Sequence, residues 1–165
     1  MLGRSIGQGS SAEQISLILN AGYAGQALRA NINATLPFVD CTLLMAVACR
    51  PQDDDETIRV AETLVRYGAR LDQGDNKINS CAVCVAADFG KPKFLKWLVD
   101  QGARIDRHPN VSPTMPIGLA VEKNHMECVA VLAKAAIRAP RDPERFNTLD
   151  SPSIHGNTPA FVALE

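Results

Sequence analysis

Two stretches of this chain repeat one another. Val65-Arg66-Tyr67-Gly68-Ala69-Arg70-Leu71-Asp72 is echoed by Val99-Asp100-Gln101-Gly102-Ala103-Arg104-Ile105-Asp106, with a glycine at the same place in each. Short apolar segments rich in small residues precede each echo. They start at Thr42 and Cys81, and further ones start at Met115 and Thr158. A unit of about 33 residues with insertions accounts for all the intervals between these starts. Such a unit cannot close a core alone, so each must bury its apolar face on the next.

Each unit reads as two helices. In the first segments, Thr42 to Cys49 and Cys81 to Phe89, small side chains such as Ala46, Ala48, Ala82, Ala86 and Ala87 allow neighbouring helices to approach closely. The second segments have helical periodicity, with Ile58, Ala61, Leu64 and Val65 in one and Phe94, Leu95, Leu98 and Val99 in the other. Pro92 stands where a first-turn proline costs nothing, because that N–H has no helical partner. Gly68 and Gly102 follow the last apolar turn, where a left-handed residue closes a helix. Asp53, Asp54, Asp55 and Glu56 crowd the start of a helix expected near Thr57, as a solvated acidic run at the positive end of the helix dipole.

Composition narrows the function classes. With 46% hydrophobic and 21% charged residues, the chain is not disordered as a whole, and its 165 residues suit one domain. Seventeen basic and eighteen acidic residues leave a net charge of -1, which gives no electrostatic footprint for nucleic acid or an anionic membrane. No apolar run approaches the roughly 18 residues of a membrane span, and the first residues, MLGRSIGQGSSAEQ, contain no signal-peptide stretch. Five cysteines leave at least one thiol free, which favours a reducing compartment. The expectation is a soluble, intracellular, cytoplasmic protein, in which the sequon Asn33-Ala34-Thr35 is a chance occurrence.

The pattern resembles the ankyrin repeat, T-P-L-H-x-A-A, then G-H, then an apolar helix ending L-L-x-x-G-A-D-V-N. Thr158-Pro159 keeps the opening, and Pro116 and Leu119-Ala120 keep parts of it. Ala86-Ala87 keeps the alanine pair, Asn124-His125 stands at G-H, and Gly68-Ala69 and Gly102-Ala103 keep the closing glycine. The resemblance implies an all-α solenoid of stacked helix-turn-helix repeats with hairpin-like finger loops. It implies one domain over 1–165, with a degenerate repeat at 1–22, repeats at 42–72, 81–106 and 115–138, and a partial repeat at 156–165. The family's histidine is replaced by Met45, Cys84, Gly118 and Phe161, so the bonds it makes between units are mostly lost. Insertions fall at 23–40, 50–55 and 137–153.

The residues offer little catalytic chemistry. Cys81-x-x-Cys84 is the one metal-like or redox-like spacing, and it supplies two of the four ligands that zinc needs. In the repeat frame both cysteines fall inside a first helix and read as small buried residues. The acidic run lacks the alternating spacing and glycine of a calcium loop, and no nucleophile stands beside a base and an orienting acid. His125 reads as structural, bonding loop backbone at the G-H position, and Trp97 reads as core. No metal or cofactor site is expected, and the chain reads as a binding module rather than an enzyme.

The resemblance implies protein–protein binding on a concave face. The expected contacts are the finger residues Lys77, Ile78, Val111 and Ser112, with Asp88, Phe89, Glu122 and Lys123 at the first-helix ends. The partner is a protein of unknown identity, and the chain is a monomer or part of a longer repeat array. The alternatives are a metal-linked or redox protein using Cys81 and Cys84, and a non-catalytic piece of a larger enzyme.

Overall fold

The computed structural model describes residues 11–20, 32–36, 41–51, 54–75, 80–106 and 115–138. These residues form seven helices and no strand: α1 (Ala12–Asn20), α2 (Leu43–Ala48), α3 (Asp54–Arg66), α4 (Ala82–Asp88), α5 (Pro92–Asp100), α6 (Pro116–Glu122) and α7 (Met126–Arg138). The chain is therefore all-α over the described residues. The segments at 1–10 and 156–165 lie outside them, as do Lys77, Ile78, Val111 and Ser112.

The helices pack in two rows. Each short helix contacts the longer one that follows it: α2 with α3, α4 with α5, and α6 with α7. The short helices also contact each other in order, α2 with α4 and α4 with α6. The second row runs α1, α3, α5, α7 in the same way. Alanine makes the close contacts possible, with Ala48, Ala61, Ala86, Ala87 and Ala120 fully buried. Val60, Leu64, Phe94, Leu95 and Leu98 are fully buried in the same core. Each such large side chain contributes about 1.5–3 kcal/mol through its removal from water. Trp97 is half-buried and stacks on Phe94, with ring centroids 5.8 Å apart.

Four helices end in the same way. Past α3, the Gly68 N–H donates to Val65 O (2.9 Å) and the Ala69 N–H donates to Leu64 O (3.0 Å). Past α5, Gly102 and Ala103 donate to Val99 O and Leu98 O at 2.9 and 3.0 Å. This pair of bonds satisfies carbonyls that a helix end would leave open, and it requires positive φ at the first donor. Gly68 and Gly102 have φ of 97° and 91°. The same bonds close α4 at Gly90 (φ 63°) and α6 at Asn124 (φ 59°). Gly90 and Asn124 are separated by the same interval as Gly68 and Gly102.

Units are tied at their loops by polar bonds. The Asn33 side chain accepts from the Arg70 N–H (2.7 Å) and donates to Gly68 O (2.9 Å). Asp72 accepts from the Arg104 N–H (2.8 Å), so Asn33 and Asp72 act alike at successive steps. Asn33 is thus a structural residue, whatever its place in a sequon. Two loops are closed at their bases, by Leu36 N–H to Cys41 O (2.8 Å) and Asp75 N–H to Ser80 O (3.0 Å).

The acidic run differs from the sequence expectation. α3 begins at Asp54 rather than near Thr57, and Asp54 and Glu56 are only partly exposed. Asp54 accepts from the Lys93 N–H in the first turn of α5 (3.1 Å), and Glu56 accepts from the Ala12 N–H of α1 (3.1 Å). Asp53 lies outside the described residues.

Adding a Cβ separates the two kinds of helix end. At Gly68 and Gly102 it meets nothing within 4 Å, so alanine there costs only backbone strain, roughly 1–2 kcal/mol. At Gly90 it falls 2.6 Å from His125 Nδ1. Urea denaturation is expected to show Gly90→Ala losing more stability than Gly68→Ala or Gly102→Ala, with His125→Ala relieving part of the excess. Equal losses at all three glycines would contradict the packing of His125 on Gly90.

Cys128, fully buried on α7, makes a pH prediction. Burial first, then the charges of Asp54 and Glu127, push its thiol pKa from 9.0 up to about 11. The folded state then holds this proton more tightly than the unfolded state. The stabilisation is complete below pH 9 and is lost as pH rises towards 11, on the order of 2–3 kcal/mol. The melting temperature is expected to fall across that window, and less steeply in Cys128→Ala. Identical slopes would remove Cys128 as the cause.

Candidate interaction surface

The first-row helices end on three exposed residues, the C-caps Cys49, Phe89 and Lys123. Phe89 is 52% exposed, a large aromatic side chain at the surface of a chain with few aromatics. It is held by its own N–H, which donates to Val85 O (2.9 Å), and by the left-handed Gly90 that follows. A ring presented on a fixed turn loses little freedom when it is buried by a partner.

Asp88, next to Phe89 in sequence, is paired with a cation. Lys123 Nζ lies 3.8 Å from Asp88 Oδ1, so these two expected contact residues form an ion pair across α4 and α6. Both remain partly exposed, and an exposed pair of this kind contributes little to stability. Glu122 is exposed beside them. His125 Nε2 lies 3.1 Å from Asp88 O, and its ring covers Gly90. His125 therefore fixes the backbone that carries Asp88 and Phe89, in keeping with a structural role.

Of the eight expected contact residues, the structure pairs Asp88 with Lys123, leaves their sequence neighbours Phe89 and Glu122 exposed, and does not describe Lys77, Ile78, Val111 or Ser112. It also adds Cys49, which sequence reasoning missed. Partial desolvation raises the Cys49 thiol pKa, followed by the nearby Cys41 and Asp88. The missed signal is positional, because Cys49 ends its helix as Phe89 ends the next. Arg50, one residue on, is 2% exposed; desolvation lowers its pKa, and the charge of Glu56 opposes this.

Cys81 and Cys84 lie deep in the first row, 0% and 1% exposed, with their sulfurs 3.4 Å apart. All the described cysteines are free thiols. Among the described residues, no three or more His, Cys, Asp or Glu side chains gather as a metal site. None of the helices there is long and apolar enough to cross a membrane. His108 and His155 lie outside the described residues.

Compared with protein-family models and with curated proteins, the chain matches neither.

The burial pattern fixes an order of thiol reactivity. In native protein at pH 8, iodoacetamide is expected to alkylate Cys49 first. Cys81, Cys84 and Cys128 are expected to react only after denaturation, as read by peptide mass spectrometry. Native labelling of Cys84 as fast as Cys49 would mean that the first row opens freely.

Proposed function

We propose that this chain is an ankyrin-like repeat module that binds a partner protein on the surface formed by its first-row helix ends and finger loops. The observation that carries this reading is Phe89, an exposed aromatic anchor on a rigid turn, beside the Asp88–Lys123 ion pair. Interfaces of this kind draw affinity from a few buried anchors and orientation from a charged rim. Two further observations support the repeat reading. Positive-φ helix ends recur at one fixed spacing, and the helices stack in two rows in chain order. The finger residues Lys77, Ile78, Val111 and Ser112 extend the proposed surface beyond the described residues. A reducing cytoplasm suits a chain whose buried thiols are free. The burial of Cys81 and Cys84 speaks for a packing role over exchange with a metal or an oxidant.

The test compares variants against a partner captured from a cell lysate and then purified. Phe89→Ala is expected to weaken binding by about 1–3 kcal/mol. Lys96→Ala, an exposed position on the second row, is expected to leave affinity unchanged. Loss of binding in Lys96→Ala with none in Phe89→Ala would place the partner on the other face.

A further inference from the structure

Four large apolar side chains are exposed among the described residues, and two of them stand on one helix. Met126 is 55% exposed and Ile137 is 77% exposed, at the two ends of α7. A helix turns about 100° per residue, so these two side chains return to nearly the same face. Ala130 and Ala133 fall between them on that face, the first exposed and the second half-buried. The stripe lies on the side of α7 opposite the buried Cys128 and Leu132. α7 thus carries two apolar faces, and one of them points away from the core.

α3 and α5 do not share this feature. The position of Ala130 is taken by Glu62 in α3 and by Lys96 in α5, both exposed. One turn on, Arg66 and Asp100 are exposed too, and Lys96 pairs with Asp100. Their outer faces are charged, as a helix face left in water ordinarily is. On α7, charge runs along one flank of the stripe instead. Glu127 stands in the first turn, and Lys134 and Arg138 stand towards the other end, all exposed.

That order complements itself when reversed. With a second α7 laid antiparallel across the first, Met126 meets Ile137 of the second copy at both ends, and Ala130 meets Ala133 in the middle. The alanines permit a close crossing, and the larger side chains close it on either side. Glu127 then faces Lys134 and Arg138 of the second copy, and the opposed helix dipoles attract. A parallel pairing would set each cation against its own kind. We propose that the outer face of α7 pairs antiparallel with the same face of a second copy of this chain, giving a two-fold dimer. The contact does not use Phe89 or the first-row helix ends. It is confined to one helix of 13 residues. That is smaller than a standard interface, so the dimer is weak, with a Kd on the order of 100 µM.

Sedimentation equilibrium of the full chain, from about 10 µM to about 1 mM, tests this. The mass is expected to rise with concentration from one chain towards two and to stop there. Ile137→Asp is expected to raise the Kd about tenfold or more, by burying a carboxylate in both halves of the interface. Glu127→Lys is expected to raise it about threefold, and adding Lys134→Glu with Arg138→Glu is expected to reverse that loss. Circular dichroism checks that the variants stay helical; if Ile137→Asp does not, the charge reversal decides. A single chain at the highest concentration would overturn the proposal. So would a dimer that neither Ile137→Asp nor Glu127→Lys weakens. Growth beyond two chains would overturn it as well, because a two-fold face closes on itself.

Discussion

The stacking of helices in this chain depends on how each helix stops. A helix leaves its last four carbonyls without partners, and buried carbonyls must find donors. Here one residue at positive φ folds the chain back so that two successive N–H groups reach those carbonyls, at Gly68, Gly90, Gly102 and Asn124. The reversal sets the direction in which the next segment leaves. Because it recurs at one spacing, apolar faces meet in the same register at each step, with alanines buried in each unit. Were these turns to vary, the alanines would face leucines of the wrong unit, leaving either voids or overlaps.

Parts of this arrangement are legible in the sequence, for a local reason. Gly68 and Gly102 betray themselves because glycine is the residue that occupies positive φ without strain. Asn124 is less visible, since asparagine reaches the same conformation while also serving as an ordinary polar residue. Gly90 is hidden by its neighbours, because the ring that fills the space beside it comes from His125 in the following unit. Asn33 and Asp72 are hidden likewise. Their acceptor oxygens matter only when backbone N–H groups from the next loop, those of Arg70 and Arg104, arrive within bonding range. On the candidate surface, the positions of Asp88, Phe89, Glu122 and Lys123 follow from the repeat frame. The pairing of Lys123 with Asp88 does not, because it depends on the spacing between α4 and α6.

The first-row helices differ in how they start. Thr42 caps α2 through its side chain, which accepts from the Met45 N–H at 3.2 Å. Cys81 and Met115, in the same position, make no such side-chain bond. A missing cap of this kind costs about 1 kcal/mol. At α6 the proline at the first position softens the loss, because it removes an N–H that would otherwise go unpaired.

The second row meets the same problem differently. α5 has Lys91 at its N-cap, and no side-chain cap bond comes from there. The cap comes instead from α3, whose Asp54 accepts from the Lys93 N–H. α1 has a cap of its own, in which Ser11 Oγ accepts from the Gln14 N–H and Gln14 Oε1 accepts from the Ser11 N–H, and Glu56 of α3 adds a further acceptor for the Ala12 N–H. These bonds place the starts of α1, α3 and α5 side by side, with the positive ends of three helix dipoles together. Left bare, those ends would repel one another and weaken the stacking. Two carboxylates between them turn the repulsion into attraction, and each also accepts a backbone N–H that its own helix could not satisfy. Lys91 and Lys93 add ion pairs to Asp54 and Asp55 at 4.0 and 3.6 Å. Asp54, Asp55 and Glu56 thus act between units as well as on their own helix, where Glu56 also pairs with Arg59 at 3.4 Å. This bonding is one reason why the second row holds its register.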